Sequence, residues 1–308
     1  MLTAELNRTR RIGCEYEMTV PLVGSGSGAD VQRTLAHVLT ANGLPAISRG
    51  YSHEPIPGGV DLAVEFDSSV HGESVYNGIS WHSVELKTRI LNGIDDWEAI
   101  IPKALDICRY MGARVNRSCG HHVHVDFPEA ATRPATIRSI YNLMHRFEPL
   151  LYGLMAPSRR EASGYSAPMP DKSRLLHGCR SMRAFRNALS GWERRFGTNL
   201  VHLWEDEPRI EFRYHHGTLD SEKSRHWIRL LNRLVEHAVT RNCQAADKQV
   251  SNSRASLDSM RWTVGLRANA GIYAKIASPE LKQTSKYLLT RWKKLNTPVV
   301  SGDIGAED

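Results

Sequence analysis

Residues 10–20 read RRIGCEYEMTV, and the fold turns on how they are read. Ile12, Cys14, Tyr16 and Met18 alternate with Gly13, Glu15, Glu17 and Thr19, the period of two that sends successive side chains to opposite faces of a β-strand. One face is apolar and the other carries two carboxylates. A single strand of this kind is read as part of a half-exposed antiparallel sheet with its polar side in water.

The same pattern recurs along the chain. In VEFDSSV (64–70), Glu65 and Asp67 share a face opposite Val64 and Phe66. In WHSVELKT (81–88), Ser83, Glu85 and Lys87 oppose Val84 and Leu86. In CGHHVHVDF (119–127), His122, His124 and Asp126 oppose Val123, Val125 and Phe127. In PRIEFRY (208–214), Arg209, Glu211 and Arg213 oppose Ile210, Phe212 and Tyr214. A solvated sheet face mixes Thr, Lys, Gln and Ser; these faces concentrate Glu, Asp and His instead. Carboxylates gathered without cations repel and raise one another's pKa, and divalent metals relieve the repulsion. A mostly oxygen donor set with one imidazole suits Mg²⁺ or Mn²⁺. Zinc is the weaker reading: Cys119 lies on the opposite face from His122, and no HExxH or CxxC accompanies the HxH spacing. Arg209 and Arg213 flank Glu211 and offer fork-shaped donors for phosphate or carboxylate oxygens. Residue types alone reach a metal-assisted phosphoryl or acyl site on a sheet, with kinase, ligase and phosphohydrolase open.

Around these strands the spacing predicts helices over 29–42, from Asp95 as cap to about Met111, from Thr132 as cap to about Met155, from Ser181, over 221–242 and over 279–295. Segments 198–205 and 208–214 are read as a hairpin, and residues 156–180 as a long loop carrying Arg159, Arg160, Lys172 and Arg174, a candidate substrate lid. Mixed elements without regular β-α-β alternation indicate an α+β layer, a largely antiparallel sheet backed by helices. No GxGxxG or GxxxxGK[ST] is present, which argues against Rossmann and P-loop nucleotide sites.

With 308 residues, 41% of them hydrophobic, the chain can bury a sizeable core in one large domain or two small fused ones. Five scattered cysteines, no membrane-length apolar run and no secretory leader pattern lead us to expect a reduced, cytoplasmic protein. The net charge of +7 leans towards an anionic acceptor, with one linked to nucleic acid permitted but not required. His121, His215 and His216 are read as histidines satisfied by local hydrogen bonds.

In this order, GCEYEM, VEFDSSV, SVELKT, CGHHVHVDF and RIEFRYHHGTLD resemble the motifs of the amidoligases, diverged carboxylate–amine ligase relatives of glutamine synthetase and glutamate–cysteine ligase. The first is similar to the family's G-x-E-x-E strand, the fourth to its G-x-H-x-H segment, and RIEFR to the R-x-E-x-R of glutamine synthetase. The motifs span 11–235. The resemblance implies a single catalytic domain over 1–308, with a helical extension at 250–296 and a frayed tail at 297–308. It implies a glutamine synthetase-like curved sheet forming a funnel for ATP and two or three Mg²⁺ or Mn²⁺ ions. Glu15, Glu17, Glu85, His122 and Glu211 would be metal ligands, and Arg209 and Arg213 would stabilise the phosphoryl and acyl-phosphate oxygens. His124 would touch a metal ligand or the phosphates, and Asp67 would stand on the amine side. His121 departs from the family, which often has an apolar residue there. A further acid expected near Glu85 has only Glu73 as a candidate. The expected activity is ATP-dependent joining of a carboxylate to an amine through an acyl phosphate, with Asp67 or Glu65 as base. The alternatives are a phosphotransferase or hydrolase using the same cage, or a binding protein that has lost catalysis.

Overall fold

The structure, a computed structural model, describes residues 2–23, 26–52, 54–71, 79–160, 166–246, 248–267, 273–276 and 278–297. The chain begins with β1 (Leu2–Ala4), β2 (Ile12–Val23), α1 (Gly28–Ala41), β3 (Ala46–Ser48), β4 (Leu62–Glu65) and β5 (Ile79–Thr88). Then come α2 (Ile94–Tyr110), β6 (Gly120–Asp126), α3 (Glu129–Thr132), α4 (Ala135–Gly153), α5 (Pro157–Arg160), α6 (Ser173–Gly178) and α7 (Met182–Ala188). The remainder is β7 (Thr198–Asn199), a 3₁₀ turn (Val201–Trp204), β8 (Arg209–His216), α8 (Ser221–Thr240), α9 (Arg254–Thr263), β9 (Tyr273–Ile276) and α10 (Pro279–Asn296).

Seven strands form an open sheet in the order β3-β4-β5-β2-β6-β8-β7. All neighbours run antiparallel except β3 and β4. A separate parallel pair joins β1 to β9. The α+β expectation therefore holds. Cys14, Tyr16, Met18, Val84, Leu86, Val123, Val125, Ile210 and Phe212 are all buried, as the alternation requires. Helix α8 lies behind this apolar face, and Tyr16 Oη meets Ser224 Oγ across the junction at 2.6 Å. Trp227, Leu230, Leu231, Leu234 and Val235, at i, i+3, i+4, i+7 and i+8, are buried on α8. Each contributes about 1.5–3 kcal/mol, so packing rather than helix propensity holds the element.

Several boundaries differ from expectation for identifiable reasons. Helix α2 starts after Gly93, not at Asp95, because Gly93 adopts φ 87° and a Cβ there would stand 2.1 Å from Arg8 O. Asp95 instead pairs with Arg8 at the surface. Thr132 ends α3 rather than capping α4, since Pro134 forces Arg133 out of helical geometry. The segment 156–180 is not a plain loop: it contains α5 and α6. The hairpin is shorter than expected because Asn199 Oδ1 accepts from Val201 N at 3.0 Å, turning the chain into the 3₁₀ segment after two ladder residues. Phe66 lies past the end of β4 and is exposed instead of packed.

A buried carboxyl ties α4 to the segment before α6. Glu148 accepts from Met169 N at 3.0 Å and from Tyr214 Oη at 2.9 Å, and burial pushes it from 4.5 up to about 7. A folded-state pKa above the unfolded one gives stability that is complete below pH 4.5 and is lost as pH rises through about 7. That difference corresponds to about 3 kcal/mol. Urea denaturation of Glu148→Gln should therefore show a flatter fall in stability between pH 5 and 8 than wild type. Identical slopes in the two proteins would refute this assignment.

Candidate active site

Strand register carries the charged faces into one place. Glu15 of β2 stands opposite Lys87 of β5 and His122 of β6, Glu17 stands opposite Glu85, and His124 stands opposite Glu211 of β8. Between His121 and Val123 the register shifts: Arg213 and Tyr214 stand across from His122 alone, a bulge in β8. Glu15, Glu17, Asp67, Glu85, His122, His124, Arg209, Glu211 and Arg213 all line one cavity of about 650 Å³.

His122 is the hub. Its Nδ1 is 3.1 Å from Glu15 Oε2 and 3.9 Å from Glu211 Oε1, and its Nε2 is 3.5 Å from Glu17 Oε1. Glu17 is steered by a backbone donor, Gly120 N, at 2.6 Å. Position 120 has no room for a side chain, because a Cβ would lie 2.7 Å from His122 Nε2 and 2.9 Å from an Arg159 nitrogen. Ligand-type atoms converge within 4.8 Å in three groups: Glu15, Glu85 and His122; Glu17, Asp67 and Glu85; His124, His202 and Glu211.

The electrostatics are opposed across the cavity. Burial raises Glu85 well above the usual carboxylate range and the Glu15 charge adds to this, against the pull of Lys87. For Glu15 itself burial pushes upward, but contacts with His122 and His124 win and hold it well below that range. Burial likewise opposes ionisation of Glu211, and Arg213 and His202 overcome it. The gathered carboxylates around Glu85 fit a divalent cation, which would remove the repulsion that Lys87 only partly offsets. On β8, Arg213 pairs with Glu211 and Arg209 with Glu205. Both guanidiniums reach the cavity, whose volume is of the size that small-molecule ligands fill.

Among the neighbours of these residues, Lys87 lies on a face that spacing marks, whereas His202 and Asn199 do not. Lys87 bridges Glu85 at 2.9 Å and Glu65 at 3.0 Å. His202 reaches the cavity from the 3₁₀ turn, where no period of two marks a face, and Asn199 Nδ2 donates to Glu211 Oε2 at 2.6 Å. Glu65, considered as a base, does not line the cavity. It is fully buried and receives Arg49 Nε at 2.7 Å and Ser52 N at 3.2 Å. Arg49 also donates to the Glu54 and Pro55 carbonyls, so Glu65 anchors the loop through 49–56 that walls the cavity. Asp67 does line it, with Oδ1 accepting from Ser69 N at 2.6 Å.

Among the described residues, none of 156–160 or 166–180 lines the cavity. Arg159 instead donates to Cys119 O, and Arg160 to the carbonyls of Met155, Gly153 and Leu295. Glu73 lies outside the described residues. His121 is buried, stacked on Tyr16 at 4.3 Å and bonded to Ser224 Oγ at 3.1 Å; burial lowers its pKa to about 3. Cys119 is buried and takes no part in a ligand group.

Fold and site together describe an α+β protein with an acid- and imidazole-lined cavity on one face of its sheet. A family model described as "Putative amidoligase enzyme" matches residues 8–235, well over half of the chain. The chain belongs to the amidoligase family, whose name denotes ligases. No curated protein matches it. Among the described residues, no helix is long and apolar enough to cross a membrane.

Proposed function

We propose that the protein is an ATP-dependent carboxylate–amine ligase built on a glutamine synthetase-like sheet. The observation that carries this reading is the convergence of the nine motif residues on one cavity, all but Asp67 through strand register. The carboxylates of Glu15, Glu17, Glu85 and Glu211, with the His122 imidazole, would hold Mg²⁺ or Mn²⁺. Those ions supply charge neutralisation for the polyphosphate. Arg209 and Arg213 bind the oxygens of the transferring phosphoryl group.

A carboxylate is a poor electrophile, because its charge repels nucleophiles and its leaving group would be oxide. Its oxygen therefore attacks the terminal phosphorus and ADP departs, leaving an acyl phosphate. The amine then attacks the acyl carbon, the carbon–oxygen bond breaks, phosphate leaves, and the amine proton passes to Asp67. Asp67 is suited to this because its carboxylate faces the cavity while the Ser69 amide fixes its orientation.

The route makes a firm demand on oxygen. Pools of acids and amines screened for amine-dependent ADP formation would identify the substrate pair, and ¹⁸O in the acid carboxylate must then appear in phosphate. Label in AMP would mean adenylation. ADP release indifferent to any amine would favour the phosphotransferase or hydrolase alternative.

A further inference from the structure

The three ligand groups are not alike. The two that share Glu85 are rich in carboxylate, whereas His124, His202 and Glu211 have two imidazoles to one carboxylate and meet the Mg²⁺ ligand set only at Glu211, whose other oxygen faces His122. We propose that this trio is a separate binding site for a borderline divalent transition metal such as Zn²⁺, distinct from the carboxylate-rich sites suited to Mg²⁺.

His202 is prepared as a ligand. Its Nδ1 lies 2.6 Å from Glu205 Oε1 and 3.2 Å from Arg209 Nη2; with the ring proton on Nδ1, towards the shorter contact, the Nε2 lone pair faces Glu211 Oε2 at 3.5 Å. A carboxylate behind a histidine is the arrangement that orients imidazoles on metals and raises their basicity. His124 supplies the independent observation. Its Nδ1 is shielded from solvent and has no hydrogen-bond partner among the described residues, and its Nε2 stands 3.4 Å from Glu15 Oε1 without the alignment of a hydrogen bond.

Glu211 faces two ways, with Oε1 towards Arg213 and His122, and Oε2 towards Asn199 and His202. The Arg213 pair therefore occupies one oxygen and leaves the other on the side of the trio. Two imidazoles and one carboxylate are a poor donor set for Mg²⁺, which prefers oxygen, and a good one for Zn²⁺ or Co²⁺.

Metal binding alone tests the proposal, so its failure would leave the ligase reading standing, and the reverse. Metal-stripped full-length protein is titrated with Co²⁺ in excess Mg²⁺. One Co²⁺ is expected to resist Mg²⁺, to show visible d–d absorption, and to be displaced by one equivalent of Zn²⁺. His202→Ala should remove that absorption. Glu205→Gln, which keeps all cavity ligands, should weaken Co²⁺ by roughly 10- to 100-fold. Glu17→Gln should leave the site intact. Displacement of all Co²⁺ by Mg²⁺, or unchanged Co²⁺ affinity in Glu205→Gln, would overturn the assignment; so would equal loss of the band in Glu17→Gln.

Discussion

Glu85→Gln is expected to raise the stability of the metal-free protein while abolishing its metal response and its activity. Glu85 is held in a site that opposes its own charge: burial first, then Glu15, push its carboxyl well above the ordinary 4.5, and Lys87 answers only in part. A raised folded-state pKa means that metal-free wild type loses stability as pH rises above the normal carboxylate range. Glutamine removes that charge without removing volume, so the variant should gain about 1 kcal/mol at neutral pH in EDTA. Wild type should recover on adding metal, by about 2.7 kcal/mol at a hundred times the dissociation constant. The variant should not recover, and its turnover should fall by about 10³, equivalent to about 4 kcal/mol of lost charge stabilisation. Thermal melts with and without Mg²⁺ check the first part and ADP formation the second. A variant that melts lower than wild type in EDTA would show that Glu85 is not strained.

Glu65→Ala is expected to damage the fold, and Asp67→Asn to damage only the reaction. Glu65 is fully buried, with Arg49 and Lys87 as its counter-ions. Its removal leaves a guanidinium enclosed without its partner, a change that costs about 3–5 kcal/mol in buried pairs. The lower end, about 3 kcal/mol, applies because Lys87 retains Glu85. Asp67→Asn keeps the oxygen that accepts from Ser69 N, so its stability should stay within about 0.5 kcal/mol of wild type while amide formation is lost. Urea denaturation beside turnover separates the two roles. A Glu65→Ala protein of normal stability and no activity would return Glu65 to the position of base.

The legible part of the molecule was whatever obeys a period. Glu15 with Glu17, His122 with His124, and Arg209 with Glu211 and Arg213 declared a shared face, and antiparallel pairing then had few ways to bring those faces together other than side by side. Trp227 through Val235 declared α8 by its period of 3.6 in the same way. Tertiary events were opaque. Nothing in VEFDSSV says that Arg49 and Ser52, after β3, engage Glu65 and bury it while Asp67 stays on the cavity. His202 sits in a single 3₁₀ turn, too short for any pattern, and joins Glu211 only through the fold. The start of α2 was set by close backbone approach at Gly93, a steric fact invisible beside the more familiar signal of Asp95. Helix α4 begins only after Pro134, whose ring excludes helical geometry at Arg133, although Thr132 is the better capping residue by type.

The stretch matched by the family stops at residue 235, inside α8, which continues to Thr240. The chain after that point is sewn back onto the body. Arg291 Nε donates to Leu154 O at 2.7 Å, Asn296 Nδ2 donates to Gly153 O at 2.9 Å, and His226 Nδ1 meets Thr284 Oγ1 at 3.0 Å. Leu281 and Leu288 of α10 are buried. These contacts cap the end of α4 and cover α8, the helix behind the catalytic sheet. A protein trimmed to the inherited motif region would thus lose its backing and expose the outer side of α8. The stretch that kinship recognises is therefore smaller than the folded body into which it is packed.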